Sequence, residues 1–184
     1  EASTPAARVH ARRHAGEAPL FDVKSAAAGE VVTARAGLRL LADHTLAEAP
    51  QADVLVVPGG VVDAPLASVQ TLAWIESQAG DARITASVCT GAFLLAASGV
   101  LKGKARVTTH WEDIAELREK FPGLDVVDDV RWVDNGSIVT SAGISAGIDM
   151  SLHLVERLAG RELALRTARQ MDFAWTTHLS SPSA

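Results

Sequence analysis

Ile84-Thr-Ala-Ser-Val-Cys-Thr-Gly-Ala-Phe-Leu-Leu95 is the stretch on which the reading of this chain turns. A β-branched, apolar run stops at Cys89, and an apolar helical pattern starts directly after it. Small residues, Ser87 and Gly91, flank the sulfur two positions on either side. A sharp strand-to-helix turn needs that small-x-nucleophile-x-small spacing, because bulk there collides with neighbouring backbone. A thiol at the turn meets the unpaired N–H groups of a helix N-terminus, which favour the thiolate. Taken alone, a single cysteine is more often a small buried hydrophobe. The elbow spacing makes Cys89 a candidate nucleophile instead.

The same alternation extends outward. Val54-Leu-Val-Val ends in Pro58-Gly59-Gly60, as a buried parallel strand followed by a tight turn does. The pattern predicts a helix over residues 4–15, short strands over Phe21–Ser25 and Val31–Thr33, and a helix over 65–79. A strand over Ile84–Val88 and a helix over Thr90–Ser98, stopped by Gly99, follow. Next come a strand over Ala105–Thr108 and a helix from Trp111. Val126–Val133 and Ile138–Ser141 flank Asp134-Asn-Gly136, a hairpin-turn signal. Helices over about 146–158 and 161–173 complete the pattern, with a Ser/Pro-rich, frayed tail over 178–184. Strands alternating with helices in one unit, 1–184, imply an α/β fold: a mostly parallel central sheet with helices on both faces. Ligands of such folds bind at the carboxyl ends of the strands, where both Cys89 and the Gly59-Gly60 turn fall.

Composition narrows the function classes. The 184 residues are 48% hydrophobic and carry a net charge of −5, with Lys and Arg scattered. No basic footprint argues for nucleic acid. With one cysteine there is no intramolecular disulfide, which suits a reducing cytoplasm. No apolar run is long enough to span a bilayer, and the first residues lack the pattern of a signal peptide. The six histidines lack ligand spacing, so no metal is expected. No cofactor is expected either: Gly99-Val-Leu-Lys-Gly-Lys104 only mimics a phosphate loop, one residue short and with Ala105 where a hydroxyl should bind Mg²⁺. Trp74, Trp111, Trp132 and Trp175 read as amphipathic core residues.

The remaining site candidates gather around Cys89. A glycine pair after a strand lets backbone N–H groups approach a ligand, so Gly59 or Gly60 together with the Thr90 N–H can form an oxyanion hole. Such a donor is typically worth about 3–4 kcal/mol in a transition state. His110, after the Val107-Thr-Thr run, is either an acid, base or thiolate partner or simply a helix cap. Thr90 follows the cysteine, so a dyad of adjacent Cys and His is excluded. Gly143-Ile-Ser-Ala-Gly147 is a literal G-x-S-x-G. After Ser145, however, only Asp149, Asp172 and His178 remain as partners, one of them inside the same helix and one in the tail. The segment reads better as a Gly-rich helix start packed tightly on the sheet, lining the Cys89 pocket.

Four stretches together resemble the ThiJ/PfpI superfamily, which shares the class I glutamine amidotransferase-like (flavodoxin-like) fold: Ala52-Asp-Val-Leu-Val-Val-Pro-Gly-Gly60, Ser87-Val-Cys-Thr-Gly-Ala92, Ala105-Arg-Val-Thr-Thr-His-Trp111 and Thr140-Ser-Ala-Gly-Ile-Ser-Ala-Gly-Ile-Asp149. They are similar to the branch that holds isonitrile hydratase and the sensor domains of AraC-type regulators. The resemblance implies that Cys89 is the nucleophile on the elbow, that Thr90 and Gly91 shape the pocket beside it, that Gly59 or Gly60 supplies an N–H, and that the protein is a homodimer. Members usually begin with a strand and Asp-x-x-Gly-Pro-x-Glu/Asp. Glu1 aligns with the last residue of that segment, so the resemblance implies a longer native chain whose first strand, with the acidic residue that serves isonitrile hydratase as proton donor, is not in this sequence; it places Glu1 near Cys89, where related members carry a glutamic acid hydrogen-bonded to the thiol.

The expectation is a cysteine-dependent hydratase-like enzyme for a small molecule, without nucleic-acid or membrane partners. Two alternatives stay open. One is a redox- or stress-responsive protein whose Cys89 is oxidised rather than catalytic. The other is a ligand-sensing domain related to AraC-type regulators, which would need a helix-turn-helix module beyond Ala184. Amidotransferase chemistry lacks its downstream His/Glu pair, and Thr90 speaks against a peptidase.

Overall fold

The computed structural model describes residues 20–34 and 37–177. In chain order the elements are β1 (Ala26–Ala27), β2 (Val31–Thr33), β3 (Arg39–Leu41), β4 (His44–Thr45), β5 (Val54–Val57), α1 (Asp63–Ala67), α2 (Val69–Asp81), β6 (Ile84–Val88) and α3 (Gly91–Ala97). Then follow β7 (Arg106–Val107), a 3-10 turn (Trp111–Asp113), α4 (Ile114–Lys120), β8 (Asp125–Val126), β9 (Trp132–Asp134), β10 (Ile138–Ser141), α5 (Ser145–Ala159) and α6 (Arg161–Gln170).

The centre is a four-stranded sheet in the order β5-β6-β10-β9. The first three strands are parallel, with Val57 opposite Ser87 and Val88 opposite Ser141. β9 closes the edge antiparallel to β10, with Trp132 opposite Ser141. The Asp134-Asn-Gly136 signal thus makes the hairpin expected of it. Asp134 caps its own turn by accepting from the Gly136 N–H at 2.7 Å.

Alternation along the strands fills two layers, as it must when both faces are covered. Leu55 and Val57 point to the face that buries Phe93, Leu95, Ile114 and Leu117 under α2, α3 and α4. Val54, Val56, Ile84, Ala86 and Val88 point to the other, where Trp132, Val139, Met150 and Leu154 pack beneath α5. α6 then packs on α5 through Leu163, Ala164 and Val155, with Trp175 against them. This is the α/β sandwich with helices on both faces that the sequence implies.

Local expectations need correcting in several places. Phe21–Ser25 is not a strand; the strand is β1, just after it. β3 and β4 are strands that the sequence pattern does not predict. The expected helix over 65–79 is two helices, because the Ser68 backbone is extended and its side chain accepts from the Thr71 N–H to start a second one. The long strand over Val126–Val133 is two short strands, β8 and β9, interrupted at Asp129, whose φ of 55° no strand accommodates. The helix expected to run to Phe173 stops at Gln170. Trp111 is 75% exposed and is not a core residue. The expected helix over 4–15, Glu1 and the tail over 178–184 lie outside the described residues.

Candidate active site

Cys89 has φ = 57°, a left-handed conformation that costs a non-glycine residue energy unless the surroundings enforce it. The surroundings do. Its N–H donates to Ser141 O at 3.0 Å, and its carbonyl accepts from the Ala92 N–H and from Thr109 Oγ1, the latter at 2.9 Å. The strand ends at Val88 and α3 begins at Gly91, so the thiol stands on an elbow at the carboxyl edge of the sheet.

The spacing of small residues has a direct geometric cause. A Cβ built on Gly91 would lie 2.3 Å from Val57 O, and one on Gly59 would lie 2.7 Å from Val88 O and 2.8 Å from Cys89 Cβ. The Pro58-Gly59-Gly60 turn and the elbow are therefore interlocked, backbone against backbone. Thr90 adds a clasp: its Oγ1 accepts from the Gly60 N–H and donates to Gly60 O, both at 2.8 Å. The Gly60 N–H is thereby committed. Among the described residues, the N–H groups of Gly59 and Thr90 find no acceptor.

His110 is a cap, as one of its two readings has it. Its Nδ1 accepts from the Glu112 N–H at 3.2 Å, so it caps the turn that opens α4. The same ring lies against the other wall: a Cβ on Gly143 would sit 2.2 Å from His110 Cδ2. Glu112 and Asp113 carboxylate oxygens stand 3.8 and 3.9 Å from Nδ1. Burial pushes the Asp113 carboxyl above its ordinary value, with the neighbouring Glu116 and Glu112 adding to the shift and His110 opposing it.

The backbone of the G-x-S-x-G segment differs from that of the Cys89 elbow. The left-handed residue in it is Ile144, with φ = 49°, and not Ser145, which is already the first residue of α5. Ser145 Oγ accepts from the Arg131 guanidinium at 3.1 Å. The glycines pack the helix start as expected: a Cβ on Gly147 would lie 2.7 Å from Val88 Cγ1. Sequence reasoning missed Thr109, which ties the His110 segment to the elbow, and Arg131, whose partner Asp149 had been noted only as an unsuitable acid for Ser145. Neither carries a local spacing signal, because each acts across 14 or more residues of chain.

A separate surface cavity of about 140 Å³ is lined by Arg106, Val130, Trp132, Val133, Asp134 and Asn135. Beside it, Asp134 binds His153 Nε2 at 2.6 Å and Arg157 at 3.1 Å. Burial alone would raise the Asp134 carboxyl, but the His153 bond, the Gly136 N–H and Arg157 outweigh it and hold the carboxyl below its ordinary range. Among the described residues no cluster of three or more metal-ligating side chains exists, and no helix is long and apolar enough to cross a membrane.

Isonitrile hydratase of Pseudomonas putida is 42% identical to this chain over 144 residues, covering 78% of the chain and 61% of that protein. The HTH-type transcriptional regulator GbdR of Pseudomonas aeruginosa is 35% identical over 136 residues, covering 74% of the chain and 36% of the regulator. The chain thus spans only part of each of these relatives. Among solved structures, a ThiJ/PfpI family protein from Pseudomonas syringae superposes with a TM-score of 0.76 at 28% identity, covering 88% of this chain and 67% of that one. Drosophila melanogaster DJ-1beta superposes with a TM-score of 0.68, also at 28% identity, over 80% of this chain and 79% of its own. The DJ-1/PfpI family model matches residues 1–157, and with the elbow, the glycine interlock and the α/β layers in place, this chain belongs to the DJ-1/PfpI family.

Proposed function

We propose that this protein is a cysteine-dependent hydratase of the isonitrile hydratase type, converting an isonitrile and water to an N-substituted formamide. The observation that carries this reading is the enforced left-handed Cys89 at a helix start, packed against the Gly59 turn, with the Gly59 and Thr90 N–H groups finding no acceptor among the described residues. The 42% identity to isonitrile hydratase supports the choice of reaction. In the first step the Cys89 sulfur bonds to the terminal isonitrile carbon and a proton is delivered to that carbon, giving a thioimidate. Water then adds to the same carbon, the nitrogen takes up a proton, and the carbon–sulfur bond breaks to release the formamide and regenerate the thiol. The Gly59 and Thr90 N–H groups suit the developing negative charge of the water-addition step. Glu1 or His110 is the proposed proton carrier. The reading needs no metal or cofactor, and we place the protein in the cytoplasm as a homodimer.

A second reading has its own support. The 35% identity to GbdR favours a ligand-sensing domain, in which the same cleft binds without turnover. The test is formamide production from a panel of alkyl and aryl isonitriles, with Cys89→Ala alongside. Formamide formed by the parent and lost in Cys89→Ala supports the hydratase. Saturable isonitrile binding without product supports the sensor. Stoichiometric sulfenic or sulfinic acid at Cys89, with neither binding nor turnover, supports the redox alternative.

A further inference from the structure

α5 starts in an unusual way. Its first residue follows the left-handed Ile144, and no side chain caps it from within the turn. Helix starts normally satisfy their free N–H groups with a local Ser, Thr, Asp or Asn. This one is held from outside. Arg131, in the loop before β9, forms an ion pair with Asp149 and extends the same guanidinium to Ser145 Oγ at 3.1 Å. The Asp149 side chain is fully buried and that of Arg131 is 17% exposed. Its second carboxylate oxygen accepts from the Thr176 N–H at 2.7 Å, while its carbonyl accepts from Trp175 Nε1 at 3.2 Å.

A buried ion pair is poor evidence for stability, since desolvation offsets most of its attraction; its best-attested use is to fix one arrangement among several. The arrangement fixed here is the wall of the Cys89 site. Ala142, whose N–H donates to Arg131 O at 2.9 Å, joins Ser141, the acceptor of the Cys89 N–H, to Gly143, the residue under the His110 ring. Moving the start of α5 therefore moves both contacts.

We propose that Arg131 is a positioning residue of the Cys89 site, locked by Asp149, and that the segment carrying Trp175 and Thr176 is the strap that holds Asp149 in place. The meaning of this for turnover rests on the proposed role of Cys89; the positioning itself does not. Arginine is required because its fork serves two acceptors at fixed angles, whereas a lysine keeps the charge and serves one point.

The test uses the 184-residue chain, isotope-labelled for amide NMR, with Arg131→Lys, Ser145→Ala and Thr176→Pro. The last removes a single strap N–H. Each variant is also followed by the rate of Cys89 alkylation by iodoacetamide across pH. Expected are displaced amide resonances of Cys89, His110 and Gly143 in all three variants. Alkylation should slow by about threefold or more, as sub-ångström misplacement of a reacting group does. Resonances of Cys89, His110 and Gly143 that stay in place in folded variants, with changes confined to the mutated segments, overturn the proposal whatever the reactivity of Cys89. Should Arg131→Lys not fold, Ser145→Ala, which removes one exposed acceptor, decides the matter by the same resonances.

Discussion

Gly91→Ala isolates the interlock beneath the nucleophile. At an ordinary helical position the change is favourable, because alanine is the better helix former by about 1 kcal/mol. Gly80 in α2 is such a position: it is exposed, and a Cβ there meets nothing within 4 Å. Gly80→Ala is therefore expected to stabilise by about 0.5–1 kcal/mol, or to raise Tm by about 1–4 °C in a chain of this size. At Gly91 the new carbon must retreat from 2.3 Å to at least 3.0 Å from Val57 O, and it also presses on Pro58 O at 3.0 Å. Both obstacles are backbone, so no rotamer relieves the clash. The elbow must separate from the Pro58-Gly59 turn by at least 0.7 Å, with Thr90 losing its alignment on Gly60. Overpacking of this kind costs about 1–3 kcal/mol or more after the helix-propensity gain is overcome. The assay is urea unfolding of both variants, with Cys89 alkylation measured beside it. Parental stability and parental alkylation in Gly91→Ala, with Gly80→Ala behaving as stated, would refute the interlock.

Three further outcomes follow from the same geometry. Thr90→Val removes both bonds to Gly60 and leaves a part-buried N–H unpaired, so unfolding free energy should fall by about 1–3 kcal/mol, read by urea titration. Gly143→Ala drives a carbon into the His110 ring; imidazole resonances of His110 should shift markedly while those of His153 stay fixed, and an unmoved His110 would contradict the close approach. Asp134→Asn concerns acid stability. The folded carboxyl lies below its unfolded value, so its contribution is fully present above about pH 4 and fades as pH falls through the folded value. The variant should be less stable than the parent by about 1–3 kcal/mol near neutrality, with the gap closing in acid; a gap that stays constant into strong acid sinks this reading.

The sequence made the site legible where chemistry and local geometry share a few adjacent residues. Ser87, Cys89 and Gly91 announce the elbow because backbone crowding within one turn dictates their size. Pro58-Gly59-Gly60 and Asp134-Asn-Gly136 are legible for the same reason. What stayed hidden depends on chain segments that meet only in the fold. Nothing near Gly60 shows that its N–H is spent on Thr90. Nothing near Ser145 shows that the left-handed residue is Ile144, or that an arginine before β9 reaches over to hold the helix. Trp111 misled because an aromatic at helical spacing normally faces a core, whereas here it begins a 3-10 turn that leaves it in solvent. Among the described residues β3 pairs with β2 alone and β4 with β1 alone, outside the central sheet, so they lack the two-sided burial that gives a strand its apolar signature.

The elbow also bears on how the chain reaches its native state. The residues that enforce the Cys89 conformation come from the ends of β5, β6 and β10 and from Thr109, and the parallel pairings β5–β6 and β6–β10 join segments separated by intervening helices. Contacts of such long sequence separation are late and slow in folding. β10 supplies Ser141 O to the Cys89 N–H and follows β5 and β6 in the chain. Under the role proposed for Cys89, its thiol takes on native reactivity when β10 docks, and so reports that step. In a refolding experiment, the change of the Cys89 alkylation rate from its unfolded to its native value should lag behind the appearance of helical signal, timing the closure of the sheet from a single atom.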